Sequence, residues 1–83
     1  MALARLQAAR KRMVGSKQTL KAISRGQARV VFVAANADQH VVDPIVRACA
    51  EKGIEVVQVD NIKNLGRACG IDVGCASAAI IDD

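Results

Sequence analysis

The residues most able to do chemistry in this 83-residue chain lie together, in Gly15-Ser16-Lys17-Gln18-Thr19-Leu20-Lys21-Ala22-Ile23-Ser24-Arg25-Gly26. At helical period, Lys17, Gln18, Lys21, Ser24 and Arg25 share one arc, and Leu20 and Ile23, flanked by Thr19, take the opposite side. The spacing predicts a short helix between two glycines, with one face for a core and one cationic face for a partner. Gly15 and Ser16 stand at the N-cap. Unpaired backbone N–H groups there, together with the helix dipole, favour an anion such as a phosphate. The stretch reads as a nucleic-acid contact surface.

Charge across the whole chain supports that reading. The net charge is +4, but residues 1–29 hold eight basic side chains (Arg5, Arg10, Lys11, Arg12, Lys17, Lys21, Arg25, Arg29) and no acidic one. The remainder holds four basic and eight acidic residues, so the cationic charge is concentrated in the first third. Such polarity implies a polyanionic partner. Arg5 is expected to add salt-dependent backbone affinity without reading the target.

Composition bounds the rest. An apolar fraction of 52% is enough for one modest core in one domain spanning residues 1–83, without disulfides or a metal. Phe32 is the only aromatic residue, so the core is aliphatic and there is no platform on which unpaired bases could stack. No apolar run reaches the roughly 18 residues that span a bilayer, and no signal-peptide pattern follows the basic start, so a cytoplasmic protein with no membrane partner is expected. Cys49, Cys69 and Cys75 are odd in number and lack C-x-x-C spacing, and His40 is the only histidine. They read as small reduced core residues, with no metal or other cofactor expected.

The elements that must position the cationic face follow from periodicity. Residues 3–13 place Leu3, Leu6 and Met13 on one helical side and Arg5 and Arg12 on another, which predicts a first amphipathic helix. Ala28 to Ala34 is a valine-rich run fit for a central strand buried on both faces. Ala35 to Asp38 reads as a loop or cap. A helix then follows, with Pro44 in its first turn, Gly53 past its end, and Ile45, Ala48 and Cys49 as its apolar stripe. Ile54–Val59 reads as a strand, Asn61–Cys69 as a short helix with Gly70 at C′, and Cys75–Ile81 as a last strand. The alternation implies a three-layer α/β/α sandwich around a small mixed, largely parallel sheet, four-stranded if Met13–Val14 adds a short strand.

Two of these segments carry a resemblance. Gly15 to Lys21 with Arg25-Gly26, followed by Leu65-Gly66-Arg67-Ala68-Cys69-Gly70-Ile71-Asp72-Val73-Gly74-Cys75-Ala76-Ser77-Ala78-Ala79-Ile80-Ile81, resembles the kink-turn RNA-binding ribosomal protein superfamily, typified by archaeal large-subunit protein L-seven-Ae and its relative L-thirty-e. The likeness covers nearly the whole chain and is strongest to short bacterial members. It implies a monomeric RNA-binding protein, ribosome-associated, that enters the bent internal loop at sheared G·A pairs, with ribosomal RNA as a plausible target. Carried over by position, Lys17, Gln18 and Lys21 would sit at the G·A pairs and Arg25 on the backbone. Gly15 and Ser16 would lie at a phosphate, and Ile71, Asp72, Val73 and Gly74 along the bulge. Archaeal members have asparagine then glutamate where Lys17 and Gln18 stand. Gln18 offers guanine one carbonyl acceptor where a carboxylate offers two, and Lys17 supplies a mobile charge, so a more salt-dependent contact is expected.

Two other classes compete. A small α/β nucleotide-binding or thiol enzyme would use Cys69 or Cys75, but the chain has no G-x-G-x-x-G, no P-loop and no histidine in the same segment, and no enzyme is expected. A non-specific basic module, or one that docks proteins through the acidic remainder, would need only the patch.

Overall fold

The computed structural model describes residues 2–71 and 73–81, with side chains from residue 4 onward. Among these residues the elements run α1 (Ala2–Ala8), β1 (Arg12–Val14), α2 (Ser16–Ser24), β2 (Ala28–Ala34), α3 (Gln39–Lys52), β3 (Glu55–Val59), α4 (Ile62–Ala68) and β4 (Ser77–Ile81). The strands form one sheet in the order β1-β4-β2-β3.

β2 is the inner strand that the valine run predicts, and its alternate side chains feed two cores. Val30, Phe32 and Ala34 pack with Leu6 of α1 and with Leu65 and Ala68 of α4. Val31 and Val33 pack on the other face with Ile23 of α2 and with Val42, Ile45 and Cys49 of α3. The layers are therefore α1 with α4, the sheet, and α2 with α3. No helix of the described residues is long and apolar enough to cross a membrane.

Four details differ from the sequence expectation. The first helix stops at Ala8, and Arg12 and Met13 belong to β1, which pairs antiparallel with β4. The Arg12 guanidinium reaches back to the carbonyls of Leu6 and Gln7 (3.1 and 3.2 Å) and so satisfies the open end of α1. Helix α3 starts earlier than Pro44 implies, because the Asp38 carboxylate accepts from the His40 N–H (2.8 Å) and caps it. Pro44 thus lies inside the helix. Its missing bond falls on the carbonyl of exposed His40, which water can serve.

The sheet is mixed but not largely parallel: only β2 and β3 run parallel, whereas β4 is antiparallel to both β1 and β2. The cause is the path after α4. Ile71 and residues 73–75 lie back along that helix, with the Ile71 N–H on the Gly66 carbonyl and the Cys75 N–H on the Ile62 carbonyl (both 3.1 Å). The chain returns to the end from which α4 departed, so β4 enters the sheet in the opposite sense to β2. Finally, Leu20 is 39% exposed, while Thr19, Ala22 and Ile23 form the buried face of α2.

Candidate nucleic-acid interface

The start of α2 is fixed to the sheet by two small residues, Gly15 and Ser16. Gly15 donates its N–H to the Ser77 carbonyl at 2.9 Å, and the Ser16 and Ser77 hydroxyls share a hydrogen bond at 3.0 Å. Gly15 holds φ 96° and ψ 153°, a backbone conformation that a Cβ would strain. The helix therefore begins on the first residue of β4, and its outward arc is set by that anchor. Lys17, Gln18, Lys21, Ser24 and Arg25 are all exposed along it, and Leu20 lies exposed beside them. Arg25 ends the helix as its C-cap, about 12 Å along the axis from Lys17 at 1.5 Å per residue.

Locally, this helix start breaks the usual rules. No side chain caps it, no acidic residue occupies its first turn, and Lys17 stands where the dipole disfavours a cation. The Ser16 hydroxyl is taken by Ser77, and the first N–H paired within the helix is that of Thr19, on the Gly15 carbonyl at 2.9 Å. The amides of Ser16, Lys17 and Gln18 are the free first-turn donors of any helix. An anion there would satisfy these donors and offset the lysine's cost.

The second expected wall lies between α4 and β4. Val73 is 69% exposed. A Cβ at position 66 would run into the Val73 carbonyl oxygen, and one at position 74 would press on the Ile62 side chain at 3.0 Å, so two glycines let this segment lie flat against α4. Ile71 is half-buried and packs on the α1–α4 core, so it serves packing as well as surface. Asp72 lies outside the described residues. Of the ten residues singled out from the sequence, Gly15, Ser16, Lys17, Gln18, Lys21 and Arg25 fall on α2 and its flanks, and Ile71, Val73 and Gly74 on the return segment. Ser77, three residues after Gly74, ties the first group to the start of β4.

The basic first third does not form one patch. Arg5 lies 3.5 Å from Glu55 and lines a cavity of about 530 Å³ with Arg29, Val30 and Ile80, at the end of the sheet opposite Ser77. Arg12 is committed to α1. Lys63 and Arg67, outside the expected site, are exposed cations one turn apart on α4 that border a cleft with Ile71 and Val73. Their i, i+4 spacing beside Gly66 was the available signal.

All three thiols are buried and free. Burial, and to a lesser degree neighbouring Cys75, pushes Cys69 up to about 11, and burial also raises Cys49, so both favour the inert neutral thiol.

Comparison with known proteins yields a consistent set. The model of the ribosomal protein L7Ae/L30e/S12e/Gadd45 family matches residues 1–83. An RNA-binding protein of Caldanaerobacter subterraneus is 55% identical over 69 residues, covering 83% of this chain and 84% of that one. Large ribosomal subunit protein eL8 of Halobacterium salinarum is 46% identical over 68 residues, covering 81% of this chain and 57% of its own length. Among solved structures, the Giardia lamblia 15.5kD RNA binding protein superposes with a TM-score of 0.86 at 30% identity, over 98% of this chain and 68% of that chain.

Proposed function

This chain belongs to the ribosomal protein L7Ae/L30e/S12e/Gadd45 family, and we propose that it is an RNA-binding protein whose ligand is a kink-turn, an internal loop with sheared G·A pairs beside a bulge. The observation that carries the reading is the start of α2. An uncapped helix N-terminus with a lysine in its first turn stands beside exposed Gln18 and Lys21, fixed on the sheet through Ser77. That combination destabilises the free protein locally and suits a phosphate with base edges next to it. Lys17, Gln18 and Lys21 meet the G·A pairs, Gly15 and Ser16 lie at a phosphate, Arg25 meets the backbone, and the segment from Ile71 through Asp72 and Val73 to Gly74 covers the bulge.

The protein acts by binding the bent conformer more tightly than the extended one and so shifting the RNA's population, without catalysis. With a large-subunit ribosomal protein among the relatives, ribosomal RNA is the favoured target class. The test compares binding to a kink-turn duplex with binding to the same duplex carrying Watson–Crick pairs in place of G·A. Tighter binding to the first is expected, and equal affinity for the two would leave only a basic patch.

A further inference from the structure

The geometry points to a second phosphate-binding point on α4, formed by Lys63 and Arg67, that holds the RNA backbone on the far side of the return segment from α2. The inference rests on the RNA-binding reading above and extends it to residues on the opposite layer of the molecule.

Lys63 and Arg67 are exposed and stand one turn apart on the same face of α4. They border two adjoining clefts. One, about 250 Å³, is completed by Ile71 and Val73. The other, about 420 Å³, is completed by Asn36, Ile62 and the asparagines at 61 and 64. Among the described residues, no carboxylate lies within ion-pair distance of either cation, in contrast to Arg5, which has Glu55 at 3.5 Å. The polar atoms beside them are arranged to donate as well. The Asn36 side-chain oxygen already accepts from the Ile62 N–H (2.9 Å) and the Asn61 oxygen from the Asn64 N–H (2.9 Å). Their amide NH₂ groups are left for the cleft.

Two cations, amide donors and an aliphatic lip at Val73 make a site for a negatively charged oxygen ligand with an apolar neighbour. A phosphate next to a ribose has that chemistry. The guanidinium can hold two phosphate oxygens at once, and the lysine adds a mobile charge beside it. An acidic protein segment would offer the same charge, but the continuity of these clefts with the return segment favours RNA. Ile71 and Val73 line the first cleft, Lys63 and Arg67 border both, and Ser77 a few residues on is bonded to Ser16 at the start of α2. A single strand laid over exposed Val73 and Gly74 is placed to reach both sets of cations.

The test measures affinity against salt for wild type, Lys63→Ala, Arg67→Ala, the double variant and Arg67→Lys, each on a kink-turn duplex and on its Watson–Crick control. Each alanine should lower the log–log salt slope by about 1 and the pair by about 2, with the preference for the kinked RNA unchanged, and Arg67→Lys should keep most of the slope. An unmoved slope overturns the proposal and leaves the cleft to a protein partner. Loss of preference in the double variant also overturns it, because the cations would then read the bulge rather than the backbone. The two readings fail separately. If wild type binds both RNAs equally while the double variant's slope still falls, the kink-turn assignment is lost and the phosphate point stands.

Discussion

The hydroxyls of Ser16 and Ser77, 61 residues apart, meet at 3.0 Å and join the first residue of the cationic helix to the first residue of β4. Ser77 is fully buried, so its hydroxyl depends on this one partner. The orientation of the whole basic face follows from a contact between two uncharged residues.

Ser16→Ala should therefore cost stability, about 1–3 kcal/mol, because it leaves a buried hydroxyl unpaired. Ser16→Ala combined with Ser77→Ala should cost less than the sum of the two single changes. Urea unfolding of the four proteins checks this, and strict additivity would show that the hydroxyls do not interact.

The buried face of α2 gives a second contrast. Ile23→Ala should lose about 2–5 kcal/mol, as expected for a fully buried aliphatic side chain. Leu20→Gln should stay within about 0.5 kcal/mol, as surface changes do. Chemical denaturation of the two variants is sufficient to measure both.

The helix itself is legible in the sequence, and so are the two-faced strand β2 and the glycine-closed α4, whereas helical period carries the first helix on to Met13, into what is β1. Each rests on a local pattern of period or capping. Leu20 was misplaced because a nine-residue wheel fixes a polar arc but not the angle at which the helix docks. That angle is set by the bonds from Gly15 and Ser16 to Ser77, a contact of long sequence separation. The sense of β4 was missed for a related reason. Helix α4 looks like a crossover, and nothing local shows that Ile71 and residues 73–75 retrace it. The basic first third was over-read as one surface, since charge counting cannot show that Arg12 turns inward to cap α1 or that Arg5 sits by Glu55 at the other end.

That separation yields a third prediction. Lys21→Ala should weaken RNA binding and reduce the preference for G·A pairs, and Gln18→Ala should reduce the preference with little change in salt slope. Arg5→Ala should change neither, contrary to what charge alone predicts. Titrations of the three variants at two salt concentrations distinguish them. A preference governed by Arg5 would place the site at the wrong end of the molecule.

Gly66 offers a fourth. With a Cβ at this position aimed at the Val73 carbonyl, Gly66→Ala must push the return segment off α4, at about 1–3 kcal/mol for an overpacked site. RNA affinity should fall with it, whereas Gly53→Ala, at a left-handed helix end far from this segment, should cost stability without a specific loss of binding. Thermal melts and binding curves on the same samples check the pair.

The thiols give a fifth, with a definite sign. Because burial raises Cys69 to about 11 from 9.0, the folded state holds the proton more tightly than the unfolded chain. Its contribution to stability is complete below about pH 9 and is lost as pH rises toward 11. Cys49 is shifted in the same direction. Stability should fall over that window, and Cys69→Ala should flatten part of the fall. Slow alkylation of the folded protein at pH 8, fast in urea, is the accompanying readout.

The central claim is that one end of the sheet, from Gly15 to Lys21 and across Ile71 to Gly74, is the surface an RNA kink-turn occupies. Backbone amide chemical shifts measured by NMR during titration with a kink-turn duplex test it most directly. The predicted result is perturbation of Ser16, Lys17, Gln18, Lys21, Val73 and Gly74, with Ala28, Arg29 and Glu55 unmoved. Shifts clustered at Arg5, Arg29 and Glu55, with the start of α2 silent, would contradict it.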